Sequence, residues 1–167
     1  EEKIESGIPV IHHQMFTNEI AYFKLEFDVK DIPGELLPYL SLLSHVLGYM
    51  DTENHSFMEL SNEVNIHTGG VSANVVSFSV KDTTQDYLPM FEINTKVMYN
   101  KIPEAFRLID EMIFRTKLTD YKRLKEIIEE IKSRMQMRFQ SSGHSVAVNR
   151  VMSYYSTHGM FKEATQG

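Results

Sequence analysis

The stretch from Ile20 to Val29 limits the possible folds more than any other part of the chain. Ala21, Phe23, Leu25, Phe27 and Val29 alternate with Tyr22, Lys24, Glu26 and Asp28. Successive side chains of an extended backbone point to opposite faces, so this segment is a strand with one apolar and one polar face. A strand wetted on one side belongs to an antiparallel-type sheet that is covered on its other side only. The apolar helices of the chain then have one layer to occupy, and the fold class that follows is α+β.

The remaining pattern agrees with that layer arrangement. Ile8 to Gln14 (IPVIHHQ) predicts a short edge strand, with Pro9 near its start, and Phe16 to Glu19 a turn. Asp31-Ile32-Pro33-Gly34 ends the first long strand. Pro38 is tolerable only in a first helical turn, so a helix starts near Glu35 and its spacing (Leu36, Leu37, Leu40, Leu43, Val46, Leu47) carries it to Met50. Ser56-Phe57-Met58-Glu59 has the capping-box form and opens a second helix that ends near Asn65. Gly69-Gly70 introduces a strand from Val71 to Val80, and Leu88 to Tyr99 forms another, with Phe91, Ile93, Val97 and Tyr99 on one face.

The rest is helical. Pro103 sits at a first helical position, with Phe106, Ile109, Met112 and Ile113 as the buried stripe. Thr119 is the expected cap of a long helix turning Leu124, Ile127, Ile128, Ile131 and Met135 inward. Ser141-Ser142-Gly143 marks a break, His144 to Ser156 resumes the helix, and Met160 to Thr165 forms a last turn. No repeat, low-complexity segment or internal linker divides the chain, which is read as one domain over residues 1–167. A domain of this length buries roughly 70% of its unfolded surface.

Composition excludes several function classes. Cysteine is absent, which removes disulfides, thiolate zinc sites and thiol nucleophiles. The net charge of −6 argues against a nucleic-acid partner, since phosphate neutralisation needs clustered Lys and Arg. No apolar run reaches the ~20 residues that span a bilayer, so no membrane partner is expected. Ten Met and no Trp suit an adaptable core. The opening EEKIES is charged and lacks an initial Met, as expected of a piece cut from a longer polypeptide.

No catalytic constellation stands out. His12, His13, His45, His55, His67, His144 and His158 form neither H-E-x-x-H nor H-x-x-E-H, the spacings that set two imidazoles beside a general base on one helical face. An independent metallohydrolase built from scattered histidines is the less economical reading; polar-contact roles suffice. Glu126, Glu129 and Glu130 read as a solvated helix face, and Arg134, Arg138 and Arg150 as solvated or ion-paired. Ser141-Ser142-Gly143-His144 lacks a nucleophile elbow and a third partner, and Thr68-Gly69-Gly70 lacks a phosphate-loop context.

Several longer strings carry a resemblance. ELLPYLSLLSHVLGYMDTENHSFMELSNEVNIHTGGVSANVVSF, then DYKRLKEIIEEIKSRM and SGHSVAVNRVMSYYSTHGMFKEATQG, resemble one quarter of a pitrilysin/insulinase-type zinc peptidase of the presequence-protease branch. The resemblance implies an α/β roll of the insulinase/mitochondrial-processing-peptidase type. Four such rolls form two halves that close around an unfolded peptide, and only the first holds zinc, on an H-x-x-E-H helix. Aligning the turn after that helix with Asp51-Thr52 puts Leu42, His45 and Val46 at the His, Glu and His positions. Glu129 or Glu130 stands where a third ligand would come from. The Y-R-D-P-like string that implies a substrate-holding Arg and Tyr is absent.

The resemblance therefore implies a non-catalytic roll, the third of four, inactive alone. It has no catalytic residue, no metal ligand and no cofactor of its own, while zinc belongs to the parent chain. Its expected partners are the other rolls of the same polypeptide and an unfolded peptide. That peptide is expected to add to a strand edge at Ser72, Ala73, Asn74, Val75 and Val76. The implied location is intracellular, the cytoplasm for a bacterial protein or alternatively the mitochondrial matrix. The competing class is a zinc-free scaffold or interaction protein that partners a catalytic subunit.

Overall fold

The computed structural model describes residues 7–81, 83 and 86–166, together with the backbone of residues 2–3. Three strands form one antiparallel sheet: β1 (Ile20–Asp28), β2 (Val71–Ser79) and β3 (Tyr87–Met98). Their spatial order is β1-β3-β2, so the last strand in sequence is the middle one and β1 and β2 are both edges. Helices α1 (Leu37–Val46), α2 (Phe57–His67), α3 (Ile102–Phe114), α4 (Tyr121–Met152) and α5 (Thr157–Gln166) complete the fold. The architecture is α+β, as the alternation in β1 requires.

Register explains which residues are inside. Phe27, Phe91 and Val75 lie across from one another, as do Leu25, Ile93 and Ala73, on the face covered by helices. Val29, Val75, Phe91 and Ile93 from the strands close a core with Leu40 and Leu47 beside α1, Ile109 of α3 and Phe161 of α5. A second cluster joins Val46 and Met50 to Ile127 of α4, and a third joins Leu60 of α2 to Leu108 and Met112 of α3. The opposite sheet face carries Lys24, Glu26, Glu92, Asn94, Ser72 and Asn74.

The structure corrects several expected boundaries. Of Ile8 to Gln14 only Pro9–Val10 is strand, paired with Glu2–Lys3; residues 11–16 adopt no regular element, and Ile11, Met15 and Phe16 find no cover. The turn falls one residue later than expected, with Ile20 N–H donating to the Thr17 carbonyl. α1 begins with a 3-10 turn at Gly34–Leu36 and stops at Val46 rather than Met50, because Gly48 takes a positive φ of 83°. α4 is capped by Asp120, not Thr119: its carboxylate accepts from Arg123 N–H at 3.0 Å. The expected break is present as a kink, since Ser142 leaves helical geometry (φ −138°, ψ 34°) while hydrogen bonding continues to Met152.

Two apolar stripes are also rotated from expectation. α3 buries Ala105, Leu108, Ile109, Glu111 and Met112, while Phe106 is exposed. On α4 only Ile127 is buried; Leu124 and Ile131 are half-buried, and Ile128 and Met135 face outward. At the end of β3, Tyr99 is exposed and Thr95 takes a buried place between Ile93 and Val97.

Candidate functional site

The five residues expected to contact peptide lie on β2, and the ladder decides what they can offer. In an antiparallel pair each residue points its N–H and C=O to the same side, alternating along the strand. Val80 N–H donates to the Asp86 carbonyl in the β2–β3 register, so even-numbered residues of β2 bond to β3. Ser72, Asn74 and Val76 are thus spent on the sheet, and Ala73 and Val75 face the open edge. Of those, the Val75 carbonyl already accepts from Gln166 Nε2 at 3.0 Å. The side chains divide as well: Ser72 and Asn74 are exposed on the polar face, while Val75 is buried against the helices.

Helix α5 is what covers this edge. His158 Nε2 shares a hydrogen bond with Ser77 Oγ at 2.7 Å, and its ring stacks on Tyr87 with centroids 5.2 Å apart. Burial, with help from the Lys162 charge, pushes the His158 imidazole below its ordinary value. It is therefore held neutral in the position where α5 meets the strand. Gly159 permits the close approach behind it. A Cβ there would collide with the Met152 carbonyl oxygen at the end of α4.

Two polar clusters went unnoticed in the sequence. Glu111 is 3% exposed inside the apolar stripe of α3 and accepts from Thr52 Oγ1 at 2.5 Å and His55 Nδ1 at 2.8 Å. Burial raises this carboxyl, but the donors from Thr52 and His55 outweigh it, and the net effect holds Glu111 below the usual carboxylate value. The cluster ties the α1–α2 connection to α3, where Thr52 and Thr116 also form an isolated bridge. Its signal was a Glu three residues after Leu108 on the buried side, facing Asp51-Thr52 across a long sequence separation. On the polar sheet face Glu92 is also buried, bonded to Lys24 Nζ at 2.8 Å and Asn94 Nδ2 at 2.6 Å. Burial opposes its charge, yet those partners keep Glu92 low, while burial and the neighbouring Glu92 raise Glu26.

The α1 positions aligned with zinc ligands hold packing instead. Val46 is 2% exposed and clusters with Met50 and Ile127, with Leu42, Leu124 and Ile131 against them. His45 is exposed and its Nδ1 lies 2.8 Å from the Ser41 carbonyl of its own helix. Glu129 and Glu130 are on the solvent side of α4, and Glu130 pairs with Arg134 at 2.9 Å. Among the described residues no three His, Asp or Glu side chains converge to hold a metal ion.

A family model described as associated with the peptidases of family M16, subfamily C, matches residues 1–167. The chain belongs to that peptidase-associated family. Relatives of this peptidase-associated chain include "Protein HypA" of Clostridium perfringens, 36% identical over 167 residues, which is all of this chain and 17% of that protein. "Presequence protease 1, chloroplastic/mitochondrial" of Arabidopsis thaliana is 28% identical over 162 residues, 97% of this chain and 15% of the relative. "Presequence protease, mitochondrial" of Drosophila melanogaster is 30% identical over 151 residues, 90% and 15% respectively. The peptidase-associated chain thus spans about a sixth of the length of the curated relatives it matches. Those relatives come from bacteria and from organelles, and among the described residues no helix is long and apolar enough to cross a membrane.

Family membership raises the question of zinc, and the residues of this chain do not fit it. Two of the three aligned positions are aliphatic and pack on α4, and the remaining imidazole points away from them. Coordination would require His nitrogens or carboxylate oxygens at about 2.0–2.2 Å in a shared shell, which an aliphatic cluster cannot supply. The arrangement can present a strand edge and a polar sheet face. Among the described residues it does not assemble an acid, a base and a nucleophile.

Proposed function

We propose that this chain is a non-catalytic domain of a longer zinc-dependent peptidase that degrades unfolded peptides. Its role is to form part of the wall of a closed substrate chamber while another domain of the same polypeptide performs metal-assisted hydrolysis. The observation that carries this reading is the packing of Leu42 and Val46 against Ile127, in a chain of a peptidase-associated family. Confinement in such a chamber selects substrates by size and by lack of structure. Exposed apolar residues on α4, including Met137, Phe139, Val148 and Val151, suit contact with other domains of the same polypeptide.

An extended peptide adds to β2 through Ala73 and the free groups of Val75, with Ser72 and Asn74 lining one side and Val76 beyond them. A proline at position 73 removes one outward N–H and leaves the β3 ladder intact, whereas a proline at 74 breaks the ladder. In the full-length protein, Ala73→Pro should weaken peptide binding with unchanged thermal stability. Binding that Ala73→Pro leaves untouched rejects this edge. Zinc analysis separates the larger alternative: stoichiometric zinc and peptide cleavage by residues 1–167 alone would overturn the non-catalytic reading.

A further inference from the structure

The opposite edge of the sheet, β1, poses a different question. Val29 N–H donates to the Pro89 carbonyl and Tyr99 N–H to the Glu19 carbonyl, in the register that pairs β1 with β3. Odd-numbered residues of β1 therefore bond to β3, and Tyr22, Lys24 and Glu26 turn their N–H and C=O groups outward. Among the described residues no backbone group pairs with them. Phe27, on the helix-facing side of this strand, is still 42% exposed. An edge this long without cover is a template for another strand.

The residues leading into β1 are shaped to supply that strand. Asn18 and Glu19 both have positive φ, 52° and 65°, and Ile20 N–H donates to the Thr17 carbonyl at 3.2 Å. Two central residues of positive φ closed by that bond make the two-residue turn whose twist matches a β-hairpin. A turn of this kind fixes the register of what precedes it. Thr17 faces Ile20, so Met15 falls opposite Tyr22, His13 opposite Lys24 and Ile11 opposite Glu26. Val10 then lies beside Phe27 and Phe16 beside Ala21 on the helix-facing side. In the structure this segment stands off the sheet, with Phe16 94% exposed and Ile8, Ile11 and Met15 exposed as well.

We propose that the chain's own segment from Pro9 to Phe16 docks on the open edge of β1 as a fourth strand, in the register set by the Thr17–Ile20 turn. The segment is tethered at the docking site, which gives it an advantage over any free strand. Docking satisfies the outward groups of Tyr22, Lys24 and Glu26 and covers Phe16 and Phe27. It also closes β1 to other strands. The proposal is independent of the peptide-binding reading, which concerns the other edge.

The chain has no cysteine, so an engineered pair reports register directly. In the hairpin, His13→Cys/Lys24→Cys places two sulfurs across a hydrogen-bonded pair with Cα atoms about 5.5 Å apart, within disulfide reach. Under mild oxidation this pair should form an intrachain disulfide, while Ile11→Cys/Lys24→Cys, displaced by two residues, stays reduced. Failure of the first pair, or equal oxidation of both, overturns the proposal, and a disulfide between two chains does so by giving the edge to a second copy. Lys24 also bonds Glu92, so amide exchange on the unmodified sequence provides a second measure. The Lys24 and Glu26 amides should exchange about tenfold more slowly than in Asn18→Pro, whose turn cannot form. Equal exchange in the two proteins would refute docking.

Discussion

Replacing Glu111 by Gln tests whether the buried Thr52–His55–Glu111 cluster holds the helical layer together. The side chain keeps its volume, so no cavity opens; what changes is the charge and one acceptor oxygen. Glu111 accepts two hydrogen bonds from Thr52 and His55 and has Arg107 at 3.7 Å. A hydrogen bond to a charged group contributes about 1.5–3 kcal/mol against about 0.5–1.5 for a neutral one. Two such bonds weakened, with an amide N–H₂ set against one of the donors, give a loss of about 2–4 kcal/mol. For a chain of this length that lowers Tm by roughly 5–12 °C. The assay is urea and thermal unfolding of both proteins at neutral pH and in acid. The carboxyl is held below its ordinary 4.5, so its stabilisation is complete above that value and is lost as pH falls through the lower folded-state value. Glu111→Gln has no such group, and the gap between the two proteins must shrink in acid. A neutral-pH difference under about 0.5 kcal/mol, or a gap unchanged by acid, would show that the cluster contributes little.

Two further expectations concern α5. Gly159→Ala forces a Cβ against the Met152 carbonyl, and backbone on both sides must shift; a loss of about 1–3 kcal/mol in urea unfolding is expected, and an unchanged midpoint would contradict the close approach. His158 is held below its ordinary 6.5, so the stability it lends is present above that pH and is lost as pH falls through its lower folded-state value. Amide exchange in α5, corrected for intrinsic rates, should therefore accelerate on acidification more in the unmodified protein than in His158→Asn, and parallel profiles would dismiss the histidine.

Much of this arrangement was legible because it rests on local patterns. Alternation located β1 to within a residue, and the Ser56/Glu59 capping box is present with both of its bonds. What could not be read depends on neighbours distant in sequence. The α3 stripe is rotated because Leu60 of α2 and the Thr52–His55 turn claim Leu108 and Glu111, leaving Phe106 to meet Phe23 at the margin of the sheet. The outer half of α4 was expected to bury Ile128 and Met135, but the main neighbours of that helix within this chain are α1 and α5, and neither covers them. At the candidate edge the strand itself was expected, whereas the alternation that leaves Ala73 and Val75 outward required the register with β3. Gln166 capping Val75 joins residues 91 apart, and no local signal announces it.

The strand order β1-β3-β2 has a consequence for how the chain acquires its structure. β1 is complete at Asp28, yet its only sheet partner begins at Tyr87. During synthesis, at about 5–20 residues per second, the segment IAYFKLEF emerges several seconds before the strand that will shelter it. Both outer strands wait for the same central one, so the sheet has no stable two-stranded precursor among them and its assembly is one non-local event. Through that interval the emerging chain carries an unsheltered apolar strand, and whatever keeps it from pairing with a neighbouring chain acts before the fold exists.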